Sequence, residues 1–396
     1  MGSKVRVGLV YGGKSGEHEV SLQTAFAVMR EFDYGKYEIK PFYITKQGEW
    51  KSGSALLAPP DSVESLRFSD GGIGSSSGSL APLFDALDAG TASGSQSAVL
   101  PKAQISGKSD VAVAGEDQAA EAPVDVMFPL LHGTFGEDGT IQGLFEMANI
   151  PYVGAGVLAS AVGMDKITMK KVFAQEGLPQ CVFRYFNRTQ WEKDASYFIM
   201  ECEVSLGYPC FVKPANLGSS VGVSKARNRE ELIEAVNYAL RFDRKVIVEE
   251  FVDAREIEVS VLGNDEPRAS VPGEIAPSNE FYDYKAKYID GKSTMIIPAE
   301  LPEDIADTVR DLAVRAFLAI DGSGLSRVDF FLRKEDNKLF INEVNTLPGF
   351  TPFSMYPLMW RESGLPYKQL LDTLIELAKE RHAAKQRIDF TGESLQ

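Results

Sequence analysis

The apolar run at residues 5–11 ends abruptly on Gly12-Gly13, and the order of segments after that break narrows the possible folds most. Over residues 20–32, Ala25, Val28, Met29 and Phe32 recur at helical spacing on one face. Residues 37–44 return to the β-branched and aromatic residues of a strand. Strand, glycine loop, helix, strand is the opening of an α/β domain. The pattern recurs at the apolar segment 124–131, which runs into a second glycine loop and a helix over about 140–148. A chain of 396 residues at roughly 150 residues per domain holds two or three such units.

Residues 151–163 are rich in glycine and alanine and read as the connector between a first and a second domain. A helix over 166–176 stops at Gly177 and Pro179. A strand at 208–213 and an amphipathic helix at 229–242 come next. Strands at 246–251 and 256–262 flank a short polar turn, a candidate hinge. The helix 302–319 carries Ile305, Val309, Leu312 and Ala316 on one stripe. Strands 327–332 and 338–343 are joined by the polar turn 334–337, and a last helix spans 367–383 before a frayed tail. Residues 70–120 are low in complexity. They read as an insertion, mostly loop with a few edge-strand residues around 97–102, and carry no assigned role.

Composition excludes several classes of function. With 41 Lys and Arg against 56 Asp and Glu the net charge is −15, which repels nucleic acid and anionic lipid. No apolar run approaches the roughly 18 residues of a membrane span, and no signal peptide is read. Cys181, Cys202 and Cys210 have the spacing of neither a disulfide framework nor a zinc cluster, so reduced thiols of a cytoplasmic protein are expected.

The strongest chemical signal is Asp329 on one strand and Glu343-Val-Asn345 on the next. Residues two apart on a strand face the same side, and a hairpin brings Asp329 across from Glu343 and Asn345. Oxygen ligands gathered on one face suit magnesium held with substrate phosphates; the plain alternative is a solvated strand face. Arg327 shares that face, either to stabilise developing negative charge or as a salt-bridge partner of Asp329 or Glu343. At 213–222, KPANLGSSVG, a lysine closes a strand and a Gly/Ser loop offers backbone N–H groups and hydroxyls to phosphate. It is not a Walker A loop, because the lysine precedes the glycines. Lys166, at a helix start, is a second phosphate contact or simply a surface lysine. The loop GGKSGEHEVS at 12–21 lacks the dinucleotide fingerprint, which excludes an oxidoreductase of that kind. Its carboxylates, Glu17 among them, either hold a substrate ammonium or cap the helix. His132 opens a similar loop, HGTFGEDG, after the next apolar strand. The aromatic and charged stretch 280–288, EFYDYKAKY, reads as a long loop acting as a lid.

In this order these motifs resemble the D-alanine–D-alanine ligases of the ATP-grasp superfamily. GGKSGEHEVS, HGTFGEDGTIQG, MDK, VKPANLGSSVGV, EFVDAREIEVSVLG, FYDYKAKY, SRVDFF and NEVNTLPGFTPFSMYP carry the resemblance, which spans the chain except about 70–120 and the tail. It implies an α/β protein with a three-domain ATP-grasp fold: an N-terminal α/β (Rossmann-like, pre-ATP-grasp) domain at 1–156, a central subdomain at 157–251, and a C-terminal subdomain with lid and metal site at 252–396. It implies that ATP phosphorylates the carboxylate of one D-alanine. The amine of a second then attacks, giving D-alanyl-D-alanine, ADP and phosphate for peptidoglycan precursors. By resemblance Glu17 binds the first ammonium, with Ser219 and Tyr288 hydrogen-bonding to Glu17 and pinning the lid. Arg327 and the Gly349 N–H stabilise the tetrahedral intermediate. Ser354 and the Met355 N–H hold the second carboxylate, and His132 sits near the first substrate. Lys166, Lys213, Lys287, Ser219 and Ser220 serve the phosphates, and Lys287 also the substrate. Glu249, Glu250, Val252 and Glu256 line the adenine and ribose pocket, and Asn342 and Glu343 complete the nucleotide site. Asp329, Glu343 and Asn345 bind magnesium, two ions, replaceable by manganese. A cytoplasmic homodimer is implied. Met355 departs from a frequent leucine, a volume-conserving swap. Within the family the alternatives are a D-alanine–D-lactate or D-alanine–D-serine ligase, and Tyr288 argues for an amine nucleophile. A non-catalytic nucleotide-binding relative would lack the arginine or the metal ligands, all of which are present.

Overall fold

The computed structural model describes residues 4–68, 124–276 and 294–389. The insertion 70–120 and the lid stretch 280–288, with Lys287 and Tyr288, lie outside the described residues. The first layer is built from β1 (Val5–Gly12), α1 (His18–Glu31), β2 (Tyr37–Ile44), the short β3 (Trp50–Ser52) and β4 (Val126–Pro129). Its sheet order is β3-β2-β1-β4, with β1 parallel to both β2 and β4. Val7, Leu9 and Val10 are all fully buried, as expected for a parallel strand covered on both faces. Gly12 is required where β1 ends. Its φ is +91°, and a Cβ there would meet the Ile44 carbonyl oxygen at 2.1 Å.

Three helices come next, α2 (Thr140–Met147), α3 (Val157–Met164) and α4 (Lys166–Gln175). The sequence reading takes 151–163 as a connector and assigns it no element; residues 157–164 are helical. The small residues there serve packing. Ala159 and Ser160 are buried, and a Cβ on Gly163 would meet the Thr346 methyl at 2.9 Å.

The second sheet comprises β5 (Phe183–Asn187), β6 (Cys210–Pro214), β7 (Ser224–Ala226) and β8 (Lys245–Glu250), antiparallel in the order β5-β8-β6-β7. Helices α5 (Arg188–Ser205) and α6 (Arg229–Ala239) cover it through Trp191, Leu232 and Val236, packed on Phe186, Val212 and Val248. Neither β5 nor α5 is read from the sequence. A capping box of Asn187 and Gln190 starts α5, but a kink at Asp194 breaks its periodicity.

The third sheet contains β9 (Ala254–Gly263), β10 (Arg268–Ala269), β11 (Gly273–Ala276), β12 (Thr294–Ile296), β13 (Gly324–Arg333) and β14 (Leu339–Asn345). The path β12-β11-β9-β13-β14 is antiparallel throughout, and β10 pairs with β9. Ile257, Val259, Val261, Val328 and Phe330 pack beneath Val309, Ala313, Ala316 and Phe317 of α7 (Glu303–Ala319). The opposite face of the sheet carries the charges. The chain then returns to the first layer. Helix α8 (Met355–Glu362), which the sequence reading lacks, and α9 (Tyr367–Lys385) place Tyr356, Trp360, Leu370 and Leu374 in one core with Leu9, Tyr11 and Phe128. All three cysteines are buried and free. No helix among the described residues is long and apolar enough to cross a membrane.

Arg381 fastens α9 to the connector. Its guanidinium donates to the carbonyls of Gly154 and Tyr152 and to Ser323 Oγ, and lies 4.2 Å from the Tyr152 ring centroid. Arg381→Met strands those acceptors, and a loss of about 2–4 kcal/mol is expected. Urea denaturation of the two proteins measures it; an unchanged midpoint contradicts the clamp.

Candidate active site

The polar face of the third sheet is built by alternation. On β13, Val328 and Phe330 enter the core, so Arg327 and Asp329 face the opposite side. The antiparallel register sets Asp329 against Glu343 on β14 and against Glu258 on β9, and Arg327 against Asn345. The hairpin read from the sequence is therefore present, with a bulge directly after Asp329. Arg327 donates to both carboxylate oxygens of Asp329, at 2.7 and 2.8 Å, and its Nε lies 3.1 Å from Glu258. Burial works against the Arg327 charge, but Asp329 and Glu258 outweigh it and raise the guanidinium pKa. Its salt-bridge role and a position on the site face are thus both realised.

Two adjoining cavities meet on this face. The first, ≈ 470 Å³, lies between the second and third sheets and is lined by Lys213, Glu249, Glu250, Val252, Glu256 and Asn342, among others. The second, ≈ 700 Å³, is lined by Glu17, His132, Arg327, Asn345, Gly349, Ser354 and Met355, among others. Lys166, Ser219, Glu258 and Glu343 line both, so the two form one continuous site.

In the first cavity, both oxygens of the buried Glu249 carboxylate are held by ammonium groups. Lys170 on α4 is 2.7 Å from one and Lys213 on β6 is 2.6 Å from the other. Burial pushes the Glu249 pKa up, but the two lysines prevail and hold it at about 2. Lys213 is also 3.5 Å from the Asn342 amide oxygen. Lys166 is not a surface lysine. It donates to the Leu217 carbonyl at 3.0 Å and lies 3.4 Å from Glu343. Glu250 accepts from the Val182 N–H at 2.7 Å.

In the second cavity, Glu17 precedes α1 but makes no capping hydrogen bond from its side chain. Its carboxylate instead accepts from Ser219 Oγ of the Gly/Ser loop. Ser219 and Ser220 both have left-handed backbones, φ 52° and 57°, a conformation that disfavours serine by roughly 1–2 kcal/mol each. The loop runs on into β7, so no helix N-terminus serves it. His132 is buried, 3.7 Å from Glu137 and 3.3 Å from Thr24 Oγ1. Desolvation lowers its pKa, but Glu137 and Glu17 more than compensate and raise it. At the far wall Ser354 precedes α8 without capping it and accepts from the Thr351 N–H at 3.1 Å.

The candidate metal donors Asp329, Glu343 and Asn345 are all hard oxygen ligands on one sheet face, which fits magnesium. The described residues contain no group of three or more His, Cys, Asp or Glu able to cage a metal by themselves. A magnesium ion held there would complete its shell with water and phosphate oxygens, the usual arrangement for that ion.

Lys170, Glu258 and Glu137 are absent from the sequence reading of the site. Lys170 lies four residues after Lys166 on one helix, and Glu258 two after Glu256 on one strand. Helical and strand periodicity could have found both.

Three sheets, with a lysine-walled cleft between the second and third, define an enzyme of the ATP-grasp class. The family model "D-ala D-ala ligase N-terminus" matches residues 6–155 and "D-ala D-ala ligase C-terminus" residues 172–376. The D-alanine–D-alanine ligase of Bacillus cytotoxicus is 51% identical over 389 residues, 98% of this chain and 99% of the relative. That of Bacillus licheniformis is 53% identical over 388 residues, with 98% and 99% covered. Among solved structures, the D-alanine–D-alanine ligase from Coxiella burnetii superposes with a TM-score of 0.73 at 31% identity, covering 97% of this chain and 96% of that one. The VanG D-Ala:D-Ser ligase from Enterococcus faecalis gives 0.73 at 33% identity, covering 95% and 100%. The chain belongs to the D-alanine–D-alanine ligase family and is a ligase.

The Glu249 carboxylate sets a pH signature. Its pKa falls from 4.5 to about 2 on folding, so its contribution is complete above about 4.5 and is lost as pH falls through about 2. Glu249→Gln should cost about 3 kcal/mol at pH 7, with the gap to wild type constant down to about pH 5 and narrowing below it. Urea midpoints across that range provide the check; a gap that does not narrow in acid contradicts the ionised assignment.

Proposed function

We propose that the chain joins two molecules of D-alanine into D-alanyl-D-alanine, cleaving ATP to ADP and phosphate, for peptidoglycan precursor synthesis. The observation that carries this reading is the continuity of the two cavities. A lysine-walled nucleotide cleft opens directly onto a chamber with a carboxylate at one end and a guanidinium on its wall. ATP occupies the first cavity. Glu249, Glu250, Val252 and Glu256 line its adenine and ribose end, and Lys166, Lys213, Ser219, Ser220 and Asn342 face its phosphates. Asp329, Glu343 and Asn345 would hold magnesium, in two ions that manganese could replace, and the metal would neutralise phosphate charge.

The first D-alanine places its ammonium on Glu17, beside His132, and its carboxylate toward the nucleotide. A carboxylate oxygen attacks the γ-phosphorus, the bond to the β-phosphate oxygen breaks, and ADP leaves an acylphosphate. The second D-alanine rests its carboxylate on Ser354 and the Met355 N–H. Its free amine attacks the acyl carbon, and Arg327 and the Gly349 N–H carry the charge on the tetrahedral oxygen. Collapse of the intermediate breaks the bond from carbon to the phosphate oxygen, and the departing phosphate takes up the proton that the nitrogen loses as the amide forms. Lys287 and Tyr288, which lie outside the described residues, are proposed on family resemblance alone, Lys287 to serve the phosphates and substrate and Tyr288 to hydrogen-bond with Glu17. A cytoplasmic homodimer is the form proposed, with no nucleic-acid or membrane partner.

A second reading, ligation of D-alanine to D-serine, is favoured by the likeness to the VanG D-Ala:D-Ser ligase; a D-lactate acceptor is the remaining alternative. The deciding experiment measures phosphate release with ATP and magnesium against D-alanine, L-alanine, D-serine and D-lactate, with products separated by mass. One D-alanyl-D-alanine per phosphate, and none with L-alanine, is expected. A mixed dipeptide or a depsipeptide as main product shifts the acceptor, and ATP binding without turnover on any of them rejects the reading.

Arg327→Met should lower kcat by about 10²–10³ while ATP affinity changes little. Ser219→Ala, which removes the hydroxyl donated to Glu17, should raise the KM for the first D-alanine by roughly tenfold. Steady-state kinetics resolved for the two D-alanine sites tests both; a normal turnover number in the arginine variant refutes its assigned role.

A further inference from the structure

Lys170 has no place in the mechanism above, yet it is a nearly fully buried ammonium, 1% exposed, in the middle of α4. Its helix neighbours Ile167, Met169 and Phe173 are buried apolar residues. A methionine or leucine at this position would avoid the cost of desolvating a charge. The Phe183 ring, its centroid 5.8 Å from Nζ, offsets little of that cost. The ion partner of Lys170 is Glu249, 4% exposed, whose second oxygen holds Lys213.

Charge arithmetic gives the lysine a purpose. Glu249 and Lys213 alone form a neutral pair, and a neutral pair attracts phosphate weakly. With Lys170 the group carries two positive charges and one negative. The surplus charge belongs to Lys213, because Lys213 lines the nucleotide cleft and Lys170 does not.

We propose that Lys170 is a positioning residue for phosphate recognition. It neutralises Glu249 from behind, so that Glu249 aims Lys213 without cancelling the charge that Lys213 presents to the nucleotide. The inference deepens the reading above and rests on it in one respect, that the cleft takes ATP.

The test compares the affinities of ATP and adenosine by calorimetry for wild type, Lys170→Met and Lys170→Arg. Adenosine shares the base and ribose contacts but carries no phosphate, so the ratio of the two affinities isolates the phosphate contribution. Lys170→Met should weaken ATP about tenfold, a change of about 1.4 kcal/mol, with adenosine affinity unchanged. Lys170→Arg should restore the ratio, since it keeps the charge. Equal weakening of both ligands marks a merely structural role and overturns the proposal, as does an unaltered ATP affinity. The double variant Lys170→Met with Glu249→Gln keeps the experiment decisive where the single variant does not fold. It removes one positive and one negative charge together, so the ATP-to-adenosine ratio should return toward wild type; any weakening of adenine binding by Glu249→Gln cancels in that ratio. A double variant that still lacks the phosphate preference refutes the charge argument. A wild-type protein that prefers ATP no more than adenosine defeats the nucleotide reading itself, an outcome distinct from failure at Lys170.

Discussion

The organising constraint is the two-faced third sheet. One face of β9, β13 and β14 is apolar and sealed by α7, so strand alternation delivers Glu258, Arg327, Asp329, Glu343 and Asn345 together to the other. A sheet surface with that many ionised groups is unstable unless each charge is answered. Arg327 answers Asp329 and Glu258, and Lys166, arriving from α4, answers Glu343. The preceding helix α3 packs so closely on this sheet that a Cβ on Gly163 would strike the Thr346 methyl. Packing fixes α3 and charge compensation engages α4 directly after it, and the site depends on both.

Charge is distributed unevenly around the two cavities. Behind the wall of the first, Lys170 and Lys213 flank the single carboxylate of Glu249, so cations exceed anions in that group. In the second cavity the Glu17 carboxylate accepts from the Ser219 hydroxyl and lines the wall. The contact between Glu17 and Ser219 joins residues 202 apart in sequence. It draws the Gly/Ser loop of the second sheet onto the first layer, which is how two cavities made by three sheets become one site.

The range of the forces involved decides which features are legible in the sequence. The pairing of Asp329 with Glu343 can be read because it needs only strand alternation and a short polar turn, both local. Strands β1, β2 and β4 and helix α1 are legible for the same reason, their boundaries falling within a few residues of those observed, whereas the three-residue β3 is not read. Helix α3 is not read from the sequence because its glycine and alanine serve close packing and show no apolar stripe when the partner is unseen. The kink at Asp194 hides α5, and β10 and β12, at 2 and 3 residues, are too short to show a period. Glu17 stands out as a candidate, but its serine partner comes only from resemblance. No local rule connects a loop after β1 with a loop after β6.

The fastening of the three sheets is uneven, and the unevenness matches the chemistry. Helices α8 and α9 bury an extensive apolar surface on the first layer, and Arg381 clamps the connector, so the substrate chamber has one rigid wall. The second sheet has its own core and joins α4 through the apolar contacts of Ile167 with Phe183, Ala215 and Ile247 and through the buried Lys170–Glu249 pair, whereas its Gly/Ser loop reaches the first layer through a polar contact, Ser219 on Glu17. Polar contacts of this kind exchange for ligand contacts at small net cost, whereas an apolar core does not open without losing its burial. The Gly/Ser loop, tied to the first layer by Ser219 on Glu17, is thus held less firmly than the wall of the second cavity that α8 and α9 pack onto the first layer.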